Sequence, residues 1–492
     1  MARTTRNADD QTAARSTPGL RVSSDEAFDR DDLVFRRGFV IGHTTGNVPP
    51  VFCRVDFPLP VWVHPAAEWA TASHEGFSVF VTGAVVHPEI PAMTIADIAE
   101  LLCKAGQDGL QDVADRLVGR HVLLFGRSST GFKLQTDSMG LRMVFFGRNT
   151  AGAYACSHPG LAEAAFGNLR KTDPPAFYLG WAGIATAYEG LYRLPPNLNL
   201  DISSANLERF FPIKPIPQKT IEEAWATAIS TAHGAMQAFA RRGPLLISLT
   251  AGLDSRTTLA ALGPDLWHKC TFFTYHSGAA ITGTDVEIAQ VISDRLGLDL
   301  TTFVINHVPV DRRIVTIVQK NSVGRHGHFL AAAYHTLFSQ KNVLHLRTNL
   351  LELGRSNLFY KAGRRFKDGV NTPETMAEYY RRLIAQTGVG PMEVYVDMFR
   401  ESYEVCSLAR AFEFASSWDL FFVEHRMGAW MGNVPLESDV AFETAIAFNS
   451  RNVIASIMGV PEAIRATSNY LTDEILRKIP GIEDVPLNPK PS

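Results

Sequence analysis

The residues best placed to do chemistry lie between a short apolar run and a helical stretch: Leu245-Leu246-Ile247-Ser248-Leu249-Thr250-Ala251-Gly252-Leu253-Asp254-Ser255-Arg256. A buried strand that passes through small residues into a helix N-terminus points successive backbone N–H groups at an anion, and the helix dipole adds partial positive charge. The hydroxyls of Thr250 and Ser255 add donors. Asp254 does not favour a bare phosphate, and its carboxylate makes sense there when Mg²⁺ lies between the two. The Walker pattern GxxxxGK[ST] is missing, so ordinary γ-phosphate chemistry is not indicated. A plain strand–turn–helix connection with Asp254 or Ser255 as N-cap fits the same residues.

The elements that must position this loop are set by a chain of 492 residues, long enough for two or three domains. Hydrophobic residues make up 46% and charged residues 20%, a globular composition. The net charge of −3 argues against a nucleic-acid partner. Five cysteines (Cys53, Cys103, Cys156, Cys270 and Cys406) form no CxxC pair, which speaks against a disulfide framework or a zinc site and for a reducing cytoplasm. Apolar runs such as Phe77–Val86 stop well short of the ~20 residues a membrane span needs. Residues 1–32 carry no apolar core of a secretory signal and read as a flexible tail.

From residue 33 to 210 the pattern predicts an α+β domain. Its strands are Leu33–Val40, Val51–Val55, Phe77–Val86, His121–Phe125, Phe132–Thr136, Met143–Phe146 and Gly152–Ala155, with helices at Ile95–Ala105 and Gln111–Leu117. The Pro-rich stretch within 211–219 reads as a linker. From 220 to 492 the rhythm changes. Thr220-Ile221-Glu222-Glu223 is a capping box opening a helix to about Arg241, and Thr284-Asp285-Val286-Glu287 a second one opening a helix to about Leu296. Strands at Leu245–Leu249, Cys270–Tyr275, Leu300–Ile305 and Val343–Arg347 alternate with helices, including His326–Phe338. That implies an α/β domain with a parallel sheet. From Thr372 onward the chain reads as mainly helical, and no internal repeat is visible.

Thr250-Ala251-Gly252-Leu253-Asp254-Ser255 resembles the Ser-Gly-Gly-x-Asp-Ser pyrophosphate loop of the ATP pyrophosphatases. The wider match is to asparagine synthetase-type amide ligases, including β-lactam synthetases and lasso-peptide cyclases. Phe272-Phe273-Thr274-Tyr275 followed by Asp285-Val286-Glu287-Ile288-Ala289 is similar to that family's second strand and helix. Val118–Phe125 followed by Thr136-Asp137-Ser138-Met139-Gly140-Leu141-Arg142 is similar to its glutaminase-like, Ntn-type sandwich domain. The resemblance implies ATP and Mg²⁺ as cofactors, with nucleotide contacts from Leu249 through Ser255 and at Tyr275, and Asp254 as metal ligand.

The chain departs from the family at two points. Thr250-Ala251 replaces Ser-Gly, which is costly only where the backbone needs φ > 0. Glutamine-using members begin with a nucleophilic cysteine, whereas this sequence starts Met1-Ala2-Arg3; β-lactam synthetases also lack that cysteine, so its absence is compatible with a live synthetase half. After the fourth strand, Arg347-Thr348-Asn349-Leu350-Leu351-Glu352-Leu353-Gly354-Arg355 resembles the family's second phosphate- and metal-binding loop. Glu352 and Gly354 match it, no Asp follows, and Arg347 and Arg355 are phosphate donors or parts of a solvated basic loop. Arg325-His326-Gly327-His328 fits a helix start or loop better than a metal site. Glu424, in Phe422-Val423-Glu424-His425-Arg426, suits either a buried ion pair or an acid/base role, and Lys478 is preferred to Lys490 as the family's C-terminal lysine.

The resemblance implies an AMP-forming carbon–nitrogen ligase that adenylates a small-molecule or peptide carboxylate and transfers it to an amine, with ring closure as one form. It acts without nucleic acid or membrane, and a homodimer is compatible with it. A scaffold or partner subunit with a decayed ATP site is the alternative.

Overall fold

The computed structural model describes residues 31–489 except 151, 168, 173–180, 323–326, 357–365, 367, 384–389 and 480. Phe77–Val86 is buried at every position, so this strand has both faces covered, as its unbroken apolar run demands. It belongs to the first of two antiparallel layers.

The N-terminal strands are β1 (Phe39–Ile41), β2 (Cys53–Val55), β3 (Val61–Val63), β4 (Trp69–His74), β5 (Phe77–Val86) and β6 (Val118–Arg127). They continue with β7 (Gly131–Thr136), β8 (Phe145–Asn149), β9 (Gly152–Cys156), β10 (Leu191–Arg193), β11 (Leu198–Asp201) and β12 (Leu207–Arg209). One six-stranded sheet runs β12-β11-β7-β6-β5-β4 and the other β10-β8-β9-β1-β3-β2. Phe39, Ile41, Val61, Phe80, Val122 and Leu124 fill the space between them. The outer face of the β5–β6 layer is covered by the helix Ile95–Ala114, through Ile98, Leu102 and Leu110. The two helices expected from the sequence are one element, bent where Gly106 adopts φ 65°. That conformation costs Gly little.

The second half carries β13 (Leu245–Ser248), β14 (Cys270–His276), β15 (Leu300–Val304), β16 (Leu344–Leu346) and β17 (Glu443–Ala445). Every pairing among them is parallel, in the order β15-β14-β13-β16-β17. The molecule thus has antiparallel sheets and a separate parallel five-stranded sheet with helices, a two-part α/β arrangement. The strand β17 lies inside a stretch that reads as helical, and its three residues are too few to show a period.

Thr220 caps Ile221–Arg242 with the full capping box, Glu223 bonding back to the Thr220 N–H at 3.0 Å. The second expected capping box is corrected. Its helix starts at Ala280, and Thr284 lies inside it, bonding its hydroxyl to the Ala280 carbonyl at 3.4 Å. The Asp285 carboxylate accepts from the distant Ala251 N–H at 2.9 Å.

The two halves share one core, since Trp225, Ala228, Ala232 and Phe239 of the Ile221–Arg242 helix join the sandwich interior. They are also pinned by a buried ion pair. Arg120 on β6 forks onto Asp439 at 2.6 and 2.7 Å, and Arg37 and Arg142 lie 3.2 and 3.5 Å from Glu443 at the start of β17. Among the described residues no helix is long and apolar enough to cross a membrane.

Candidate functional site

Strand β13 sits at the middle of the parallel sheet. The chain leaves it toward β14 on one side and later returns to β16 on the other. This reversal opens a crevice beyond the carboxyl ends of β13 and β16, where open α/β sheets hold their ligands. The loop Leu249–Gly252 and the helix Leu253–Leu262 begin there.

The loop is braced by its own hydroxyls. Ser255 Oγ accepts from the Thr250 N–H at 3.3 Å, Thr250 Oγ1 accepts from the Gly252 N–H at 3.2 Å, and the two hydroxyls lie 3.1 Å apart. Ala251 is absent from the residues with positive φ, so its Cβ brings no backbone strain where the resembling loop has Gly. Gly252 is the N-cap residue, and no side chain caps the helix. The first-turn amides of Leu253, Asp254 and Ser255 therefore remain the groups an anion can meet. A further brace comes from far along the chain. Arg256 donates to the carbonyls of Val485, at 2.9 Å, and Pro486, and the Asn488 N–H donates to the Ala251 carbonyl at 3.2 Å.

A cleft of about 500 Å³ opens over this loop. Its mouth is polar, formed by Thr250, Gly252, Asp254, Glu352, Arg355 and Asn488. Arg355 Nη2 lies 2.5 Å from Asp254 Oδ1. Burial pushes the Asp254 carboxyl up to about 7, with Arg355 pulling it down and Glu352 adding a smaller push upward. Glu352 also faces Arg426 at 3.7 Å, and the Arg426 guanidinium lies 4.5 Å from the Trp430 ring centroid. The backbone of this second loop is unusual, because the buried Leu350 has φ 105°, a region costly for any residue with a Cβ. The opposite end of the cleft is aromatic. Phe273, Tyr275 and Tyr334 line it together with Ser248, His345 and Arg347.

The structure therefore brings Thr250, Gly252, Leu253, Asp254, Tyr275, Glu352 and Arg355 to one cleft. Leu249, Ala251 and Ser255 are buried behind the loop and shape it from within. Gly354 does not line the cleft. An added Cβ there would come 2.5 Å from the Trp225 ring, so this glycine permits close packing of the second loop on the Ile221–Arg242 helix.

Glu424 is also elsewhere. It is buried, forked by Arg209 at 2.7 and 3.0 Å and bonded by Asn197 at 2.8 Å, which ties the helix Phe422–Met431 to the N-terminal half. A carboxylate saturated by a guanidinium and an amide is a structural ion pair, so the acid/base expectation for Glu424 is corrected. Lys478 is half exposed beside Glu474, 3.5 Å away, and it borders a different groove with Trp225, Ile229 and Tyr470. Its place on the solvent side of the helix Tyr470–Lys478 removes it from the cleft. Lys490 and residues 325 and 326 of the His-Gly-His stretch lie outside the described residues, while His328 begins the helix His328–Phe338.

Outside the two loops, four lining residues escaped the sequence reading. Phe273 shares a strand face with Tyr275, a period-2 relation that pointed to it. Tyr334, His345 and Asn488 reach the cleft only through tertiary packing. Among the described residues no three His, Cys, Asp or Glu side chains cluster to hold a metal. The donors that fit Mg²⁺ are Asp254 and Glu352, a set that suits an ion taking its remaining ligands from phosphate and water.

In comparisons with known proteins, the chain matches no family model and no curated protein. Among solved structures it is similar to the glutamine phosphoribosylpyrophosphate (PRPP) amidotransferase from B. subtilis complexed with ADP and GMP. The identity is 11% and the TM-score 0.22, over 44% of this chain and 55% of that one, so the chain spans about half that enzyme's length.

Proposed function

We propose that this chain is an ATP-dependent, AMP-forming amide ligase of the asparagine synthetase type. The observation that carries the reading is one cleft at the sheet's reversal point that joins an uncapped helix N-terminus, the Asp254 and Glu352 carboxylates, two arginines and an aromatic end. That combination suits the phosphates and base of a nucleotide. The first-turn amides of Leu253, Asp254 and Ser255, with Arg355, would bind and orient the phosphates. Mg²⁺ held at Asp254 would neutralise the departing pyrophosphate.

A substrate carboxylate then attacks the α-phosphorus, releasing pyrophosphate and leaving an acyl-adenylate. An amine attacks the acyl carbon and releases AMP. Activation is needed because a free carboxylate is a poor acyl donor at neutral pH, and the protein's share is alignment and charge compensation. The test is incubation with labelled ATP, Mg²⁺ and candidate carboxylates and amines, followed by nucleotide analysis. Accumulation of AMP and pyrophosphate supports the reading, and stoichiometric ADP rejects it.

One observation favours a second reading, a non-catalytic partner subunit. The Thr250, Ala251 and Gly252 amides already have partners inside the protein, and Arg355 already occupies Asp254. Calorimetry of ATP with and without Mg²⁺ separates the two, since a decayed site shows no Mg²⁺-dependent binding.

A further inference from the structure

His345 is the central residue of β16, and its side chain lies on the sheet face that packs against the helix His328–Phe338. It is 1% exposed, yet it borders the aromatic end of the cleft. Its ring is held at 4.8 Å from the Phe442 centroid and 5.5 Å from that of Phe273. Nδ1 lies 3.2 Å from the Thr444 hydroxyl, on the neighbouring strand β17. Nε2 has no hydrogen-bond partner among the described residues. Buried polar atoms are nearly always paired, so an orphan nitrogen at the wall of a cleft is a group held ready for something that enters it.

The chemistry of that visitor follows from the surroundings. Burial, and secondarily Arg347, drives the imidazole pKa well below its usual value, so the ring is neutral. A neutral imidazole does not attract phosphate. It offers one uncharged donor or acceptor, and the Thr444 hydroxyl decides which by donating to Nδ1 or accepting from it. Tyr275 beside it is partly exposed and backed by the buried Phe273 and Tyr334 rings, while the polar mouth with Asp254 and Arg355 lines the same cleft.

We infer that His345 is the specificity-determining residue for the nucleobase: Nε2 hydrogen-bonds an edge atom of adenine, with the base against Tyr275 and the phosphates at the loop. Thr444 is the positioning residue that selects the tautomer. This rests on the nucleotide reading above and adds the group that distinguishes ATP from any other polyphosphate.

The experiment compares Mg-ATP with Mg-tripolyphosphate, which has the phosphates and no base, by calorimetry on the full chain and on His345→Phe. The expected result is at least a tenfold loss of ATP affinity in the variant with tripolyphosphate unchanged within twofold. Equal ATP affinity in variant and parent overturns the role of His345 while leaving nucleotide binding standing. No ATP binding by the parent protein overturns the nucleotide reading and this inference together. A second arm needs no substitution. In the ¹⁵N-histidine spectrum of the unaltered protein, the His345 Nε2 signal shifts with ATP and not with tripolyphosphate, and an identical response to both ligands overturns the inference even where His345→Phe fails to fold.

Discussion

Arg355 holds Asp254 across the mouth of the cleft, Nη2 to Oδ1 at 2.5 Å, and the two come from loops at the ends of different strands, β13 and β16. This ion pair closes the cleft on itself. Under the proposed function, a nucleotide with Mg²⁺ would resolve it by giving Asp254 the cation and Arg355 the phosphate, so that each keeps an opposite charge.

The first expected outcome concerns Asp254→Ala. AMP formation should fall by a factor of 10² or more, the scale for removing charge stabilisation at a transition state. Thermal stability should change little, because Gly252 rather than Asp254 caps the helix, and an acid in the first turn is worth only about 0.3–1 kcal/mol through the dipole. Product analysis with a melting curve checks this. Normal AMP release by a stable variant would reduce Asp254 to a helix-end charge.

Arg256 supports a second expectation. Its buried guanidinium clasps the carbonyls of Val485 and Pro486 across the loop, and Asn488 follows into the cleft. Arg256→Leu should release that segment at a cost of about 1.5–3 kcal/mol for a charge-assisted contact. Hydrogen exchange should speed up at residues 485–489 while β13 and β14 stay protected. Unchanged exchange in the C-terminal segment would show that other contacts hold it.

The sequence made the loop and its strand–helix frame legible because strong local signals agree there: a buried β13, small residues and a helix start. Thr220-Ile221-Glu222-Glu223 also worked, since both halves of its capping box are made. Thr284-Asp285-Val286-Glu287 misled because Asp285 is recruited by Ala251, a contact between residues 34 apart that no local pattern encodes. Glu424 and Lys478 carried suitable chemistry on plausible segments, but their places depend on Arg209 and on which helix face meets solvent. His345 and Tyr334 were invisible for the same reason, because a cleft wall assembled from β16 and a separate helix has no linear signature.

The interdomain pair Arg120–Asp439 yields a third expectation. Both side chains are fully buried and the contact is bidentate. Arg120→Met leaves Asp439 buried without its bidentate partner, with Arg142 3.6 Å away and Arg37 nearby as weaker compensation, so a loss of about 3–5 kcal/mol is expected. The double variant Arg120→Met with Asp439→Leu should recover much of that loss, because the uncompensated charge is gone. Urea titrations of the single and double variants decide it. A double variant no more stable than Arg120→Met alone would mean that packing around Asp439, not its charge, holds the halves together.

The last expectation concerns acid. His64, His121 and His158 are buried, and burial lowers their pKa values to about 4, about 4 and about 3. His64 shows why a proton is unwelcome: Nδ1 accepts from the Ala66 N–H at 3.0 Å and Nε2 lies 2.9 Å from the Asp32 carbonyl, so the neutral ring is satisfied. Protonating Nδ1 would remove that acceptor. In the unfolded chain all three take up protons near pH 6.5, and in the folded chain they do so only near 3–4. Between those limits the unfolded state binds more protons, so stability is complete above about pH 6.5 and falls as the pH drops toward 4. The slope is about 1.4 kcal/mol per pH unit for each histidine at full separation. Urea midpoints at pH 7.5 and pH 5 should therefore differ strongly, and His64→Asn should reduce the proton uptake on unfolding at pH 5 by close to one. An unaltered uptake in His64→Asn would show that its imidazole is already protonated in the fold.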